Sequence, residues 1–190
     1  MGFNLNVNTI KLVSVFGLVF ILGAAFSFCL GKYQTRNSSE VKCYEGSVVP
    51  VFSPYNSEEI FNLIENAKYE IKVEVYEFSY KDLADALIGA RERNVSVKVV
   101  LEPSVYANRG MSSYLINSGI DVKWAPKKFH NMHSKFMIID DSIVFVGSLN
   151  WSKNAVENNR EASVIIYSKE ASGSFEKIFD KDFSTWKFWN

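Results

Sequence analysis

The chain has 190 residues, 47% of them hydrophobic, with 21 basic and 21 acidic side chains and no formal net charge. That length holds one domain and a modest appendage, and neutrality excludes a global field as the means of attracting a polyanion, so any such attraction has to be local. The two cysteines, Cys29 and Cys43, exclude a disulfide framework and a cysteine-ligated zinc site.

Residues 12–30, LVSVFGLVFILGAAFSFCL, carry no charge and are long enough to cross a bilayer core of about 30 Å. The segment reads as a membrane anchor or a signal peptide. Its apolar run exceeds a usual signal-peptide core, which favours the uncleaved anchor. Lys32 and Arg36 follow it and Lys11 precedes it, a bias too small to decide which side of the membrane the rest occupies. A protein anchored by one span, or a secreted or periplasmic one after cleavage, are the two expectations. The boundaries are residues 1–31 for this segment, 32–45 for a polar linker and 46–190 for the catalytic domain.

Val48 to Phe52 reads as a strand, and Ser57 is expected to cap a helix with Glu58 and Glu59 in its first turn. IKVEVYEF, from Ile71, alternates as a strand. Leu83, Ala86, Leu87 and Ala90 have the spacing of a helix buried on one face, and VSVKVVL from Val95 is another strand. A helix around Met111 to Asn117 stops at Gly119, before a short strand from Asp121. Between His133 and Val146 two apolar runs flank the turn Asp140-Asp141-Ser142, a hairpin. Ala162 to Tyr167 is a further strand. Phe175, Phe179, Phe183 and Trp186 recur at helical spacing and are expected in the core. The order predicts an α/β fold, a mixed β-sheet flanked by helices, with no internal repeat.

The chemistry concentrates after His133. Residues two apart on a strand share a face, so His133 and Lys135 are presented together. Ser148 and Asn150 leave the second hairpin strand with the same offset, and Glu161 opens the next strand, where it could accept from a histidine ring nitrogen and set its tautomer. Such a group suits displacement at phosphorus. A neutral imidazole is a good nucleophile near neutral pH, and covalent attack splits one hard step into two. Lys135, Asn150 and Ser148 are donors for the charge building on the non-bridging oxygens. A second histidine has to protonate the leaving oxygen, and the chain has only His130 and His133. A strand-borne pair three residues apart faces opposite ways, which favours a homodimer whose composite site uses His133 of both copies. His130, Asp140 and Asp141 lack the further ligands a metal site needs, so no metal or other cofactor is expected.

The run His133-x-Lys135-x4-Asp140-x6-Gly147-Ser148-x-Asn150 resembles the HKD motif of the phospholipase D superfamily. It is most similar to the single-motif members, the bacterial periplasmic endonuclease and the mitochondrial cardiolipin hydrolase and piRNA nuclease group. The resemblance implies that His133 is nucleophile in one subunit and acid in the other, with Lys135, Asn150 and Ser148 on the phosphate. It implies that Glu161 orients the histidine and that Asp140 is structural, near the interface. The glycine usual after the motif aspartate is Asp141 here, a turn position that aspartate tolerates.

The expected function is a metal-independent phosphodiesterase acting through a phosphohistidine. Residues 123–135 hold four lysines, both histidines and no acid, a basic rim suited to nucleic-acid backbone with little sequence preference. Lys127, Lys128, Trp151 and Lys153 are the candidate substrate contacts, and Trp124 and Trp151 are candidate groove walls, with core packing the alternative for both. Hydrolysis of phospholipid, with the 12–30 segment holding the site beside a bilayer, is the second expectation. An inactive membrane-bound adaptor for nucleic acid or lipid is the third.

Overall fold

The computed structural model describes residues 43–185. The 12–30 segment, Cys29 and Trp186 lie outside them, and among the described residues no helix is long and apolar enough to cross a membrane. The elements run β1 (Ser47–Phe52), α1 (Glu59–Asn66), β2 (Glu70–Val75), α2 (Lys81–Glu92), β3 (Ser96–Leu101), α3 (Ala107–Asn117) and β4 (Asp121–Trp124). They continue with β5 (Lys135–Ile139), β6 (Ile143–Gly147), α4 (Lys153–Glu157), β7 (Ala162–Tyr167) and α5 (Lys169–Ser184). The strands form one seven-stranded sheet in the order β1-β7-β6-β5-β2-β3-β4. β2, β3 and β4 are parallel, joined by the helical crossovers that parallel strands require. The hairpin half is antiparallel. The expected mixed sheet is the one observed.

Strand alternation sorts the side chains into two cores. Val73, Val75, Val99, Leu101, Met137 and Ile139 point to the face covered by α1, α2 and α3, where Ile60, Ile64, Leu83, Leu87 and Leu115 meet them. Val100, Phe136 and Ile138 point the other way, onto Phe179 of α5, with Phe175 and Phe183 packed alongside. The aromatic spacing of the last helix thus serves the core, as its periodicity predicts.

The hairpin closes through Asp140 and Asp141, both with positive φ (49° and 53°), the conformation that two-residue turns between twisted strands require. Ser142 N–H donates to Ile139 O at 3.1 Å. Gly147, at the other end of β6, is a steric necessity: a Cβ there would fall on the Ala162 carbonyl and on the backbone and side chain of Ser163. Gly147→Ala is therefore expected to cost about 2–3 kcal/mol, because the neighbouring strand cannot yield as a flexible side chain would; an unchanged urea midpoint would refute this close packing.

Three local expectations need correction. The side chain of Ser57 caps nothing: α1 starts at Glu59 without a side-chain cap, its first N–H groups being taken by the carbonyls of Asn56 and Ser57. α3 begins at Ala107, a turn earlier than its apolar spacing suggests, because its first turn is anchored by a buried polar residue, Asn108, instead of an apolar one. The short helix α4 was not anticipated; Ser152 caps it, accepting from Ala155 N–H at 3.4 Å.

Candidate active site

Four chain segments converge at one edge of the sheet. β2 ends there at Val75 and β6 at Gly147, while β5 starts there at Lys135 and β7 at Ala162. β5 pairs antiparallel with both β2 and β6, and β6 with β7. Residues far apart in sequence therefore meet at this edge.

His133 stands exposed just before β5, whereas Lys135 is buried. The Lys135 Nζ lies 3.1 Å from His133 Nδ1 and donates to the His133 carbonyl at 2.9 Å. With Lys135 as ammonium, Nδ1 is the acceptor and the ring proton is on Nε2. Burial pushes the Lys135 ammonium below its ordinary pKa, a shift opposed by the negative charges of Glu161 and Glu77. The imidazole also packs on Tyr76, ring centroids 4.3 Å apart.

Ser148 Oγ donates to Glu161 Oε2 at 2.5 Å and accepts from Ala162 N–H at 3.1 Å. Glu161 Oε1 accepts from Asn159 Nδ2 at 3.3 Å. Among the described residues the carboxylate thus engages Ser148 and Asn159, while the histidine nitrogen expected to meet it faces Lys135. Asn150, half-buried, lines a cleft with Glu77, Ser152, Lys153 and Asn159, and its Oδ1 is buried with no partner. Its Nδ2 is a donor of the kind a phosphate oxygen accepts.

The structure brings His133, Lys135, Ser148, Asn150 and Glu161 to this edge. It does not bring Asp140. That carboxylate sits at the opposite end of β5, accepting from the N–H groups of Lys68, Tyr69 and Glu70 at 2.8–3.0 Å. It ties the start of β2 to the hairpin and touches none of the reactive groups, because a strand length separates the two ends. Beside it, Asp141, Glu70 and Glu176 converge on the Lys72 ammonium, a cation already supplied by the chain.

The expected substrate contacts divide. Trp151 is 1% exposed and packs edge-on against Phe78 in the core, so it lines no groove; its backbone does the visible work, accepting from Ser79 and Tyr80 N–H. Trp124 is half-buried against the same core. Lys128 is ion-paired with Asp182 at 2.8 Å, which removes part of its charge from the rim. Lys127 is exposed, and Lys153 is exposed with a loose partner, Glu157, at 3.7 Å.

Several site-forming residues carry no reading in the sequence. Tyr76 N–H donates to Ser134 O at 3.0 Å, tying the end of β2 to the residue after His133. Glu102, buried at the end of β3, accepts from Met132 N–H at 2.7 Å and Ser104 N–H at 3.0 Å, holding the His133 loop from the other side. Asn108 bridges the two strand ends, donating to Tyr76 O and Glu102 O and accepting from Phe78 N–H, each at 2.8 Å. Glu74 is buried beneath Ser134, its carboxyl pushed up to about 7 by desolvation. The one available signal was polarity at buried positions of an otherwise apolar pattern, as at Glu74 in IKVEV.

Residues 60–183 match the family described as cardiolipin synthase, PLD-like domain. Among curated proteins, the mitochondrial cardiolipin hydrolase of Canis lupus familiaris is 30% identical over 116 residues, 60% of this chain and 45% of that protein. The Drosophila melanogaster protein of the same name is 28% identical over 175 residues, 77% of this chain and 67% of that one. The chain spans about half the length of the curated relatives it matches. Two solved structures share the fold. The phospholipase D family member Nuc from Salmonella typhimurium superposes with TM-score 0.70 at 28% identity, covering 77% of this chain and 99% of that one. NucT from Helicobacter pylori gives 0.68 at 26%, covering 76% and 100%.

Proposed function

Since the chain belongs to the PLD-like family typified by cardiolipin synthase, we propose that it is a phosphodiesterase whose nucleophile is His133 and whose phosphate ligands are Lys135, Asn150 and Ser148. The observation that carries this reading is the contact between an exposed imidazole and a buried ammonium at 3.1 Å. A bound phosphodiester anion draws Lys135 from the imidazole onto a non-bridging oxygen, where the charge of the transition state builds. Solvent at the exposed ring then exchanges the proton from Nε2 to the freed Nδ1, and the Nε2 lone pair so released attacks phosphorus. The bond to the leaving oxygen breaks as a second imidazole donates its proton to that oxygen, and water later opens the phosphohistidine, returning His133.

The second imidazole is assigned to His133 of a second copy of the chain, which makes the working unit a homodimer. His130 is exposed in the loop three residues earlier. Glu161 anchors Ser148 and holds negative charge near Lys135; Asp140 braces the hairpin. In the proposed organisation residues 1–31 anchor the chain or direct its export, 32–45 tether it and 46–190 carry the reaction.

The first substrate reading is nucleic-acid backbone, supported by exposed Lys127, Lys153 and Arg160. The second is phospholipid. It has an observation of its own: an open cleft of about 460 Å³ lined by His133, Lys135, Phe136, Val146, Phe175 and Ile178, which sets apolar side chains beside the reactive pair. The test is hydrolysis by the full chain in EDTA, with single-stranded DNA, single-stranded RNA, cardiolipin vesicles and phosphatidylcholine vesicles offered in parallel. Cleavage of nucleic acid alone supports the first reading and of lipid alone the second; dependence on a divalent ion overturns the phosphohistidine mechanism for both.

A further inference from the structure

We propose that Tyr76 is a positioning residue for the reaction, its aromatic ring holding the His133 imidazole in the orientation from which Nε2 attacks; the inference rests on the phosphohistidine reading. His133 is exposed and lies outside the strand, in the four-residue stretch before β5, so neither ladder bonds nor burial fix its side chain. What fixes it must be a lateral contact. Tyr76 supplies one: the two rings lie 4.3 Å apart at the centroids, inclined by 50°, a close contact at the short limit of aromatic pairing distances.

The ring is itself held. Tyr76 N–H donates to Ser134 O at 3.0 Å, which locks its backbone to the residue after the histidine. Its carbonyl accepts from Asn108 Nδ2 at 2.8 Å, from a side chain with no solvent exposure. The Lys135 ammonium lies 5.4 Å from the same ring centroid, so the ring face meets the two groups of the site that carry or acquire positive charge. An aromatic face attracts both, and does so more strongly as the imidazole becomes cationic on bonding to phosphorus. The hydroxyl has no part in this geometry. The ring is the functional element, and phenylalanine should replace tyrosine where leucine does not.

The chain has two histidines, which makes the contact directly observable. In the full chain in detergent, labelled with 13C,15N-histidine and assigned with His133→Asn, the His133 ring protons should be displaced upfield of those of His130 by the Tyr76 ring current. Tyr76→Leu should return them toward unstructured positions, and Tyr76→Phe should keep them. With the substrate cleaved best, Tyr76→Leu should lower kcat about 10- to 100-fold, the scale of a misplaced reacting group, with KM within about twofold, and Tyr76→Phe should recover most of the loss. His133 signals unmoved by Tyr76→Leu, or a kcat within twofold of wild type, would overturn the proposal. If the wild-type chain hydrolyses nothing in the panel, the phosphohistidine reading fails, and the spectra still decide whether Tyr76 holds the ring.

Discussion

Replacing His133 by asparagine is expected to lower turnover by on the order of 10⁴-fold or more, because the variant keeps a polar side chain of similar reach and loses the nitrogen lone pair assigned to the proposed covalent intermediate. Stability should stay within about 1 kcal/mol of wild type, since the side chain is exposed and asparagine keeps a polar group beside Lys135. That separation matters: loss of activity with an unchanged unfolding midpoint assigns the effect to chemistry. Brief incubation with 32P-labelled substrate followed by alkaline denaturation should trap label on the wild-type chain and none on His133→Asn. The label should be lost in acid, as expected of a phosphoramidate. If the site is composite, wild-type activity should fall when His133→Asn chains are refolded with it, because mixed dimers then lack either nucleophile or acid. Activity retained by the variant within tenfold would remove His133 from the mechanism.

The second large effect is expected far from any substrate. Asn108 is wholly buried, and its amide donates to Tyr76 O and Glu102 O while accepting from Phe78 N–H. Asn108→Ala leaves three backbone groups unpaired, two of them buried and Tyr76 O part-buried, each at up to about 1–3 kcal/mol, and local relaxation or water entry recovers part of that. A net loss of about 3–5 kcal/mol is expected in urea unfolding. Asn108→Asp tests the reason. A carboxylate can still accept from Phe78 N–H, but it turns lone pairs toward two carbonyl oxygens, so it should be no better than alanine. A loss below about 1 kcal/mol for alanine would mean that the two strand ends are held apart from this amide. Because Tyr76 and the Met132 loop hang from the same network, the variant should also raise the mobility of the His133 ring.

Much of this was legible in order along the chain. Strand alternation sorted Ile71, Val73 and Val75 from Lys72 and Glu74 before any coordinates, since a pleated strand leaves no third direction. The hairpin was readable because Asp140-Asp141 separates two apolar runs by the number of residues a tight turn needs, and the helical spacing of Phe175, Phe179 and Phe183 placed them in a core. The motif spacing around His133 pointed to phosphate chemistry for a similar reason: its members lie on or directly beside the two strands of one hairpin, where separation along the chain converts directly into separation in space.

Where the reading stopped short, the partner was distant. The place of Trp151 beside Asn150 leaves groove lining and core packing both open, and its ring packs on Phe78 in the core. Asp140, for which the resemblance implies a structural role near the interface, braces the N-terminal end of β2 through backbone groups some 70 residues away in the chain. Lys128 looked like a free rim charge and is paired with Asp182 of the last helix.

The sequence by itself determined the sheet-and-helix class, the hairpin, the family resemblance and the five polar residues that gather at one sheet edge, because each depends on periodicity or on short separations that strand geometry translates without further information. Only the tertiary structure decided what holds those residues still. Tyr76, Glu102 and Asn108 come from the β2, β3 and α3 segments and meet the His133 loop through contacts that no local pattern encodes. Their roles follow from which strands lie side by side, and that order is set by the burial of two cores on opposite faces of one sheet.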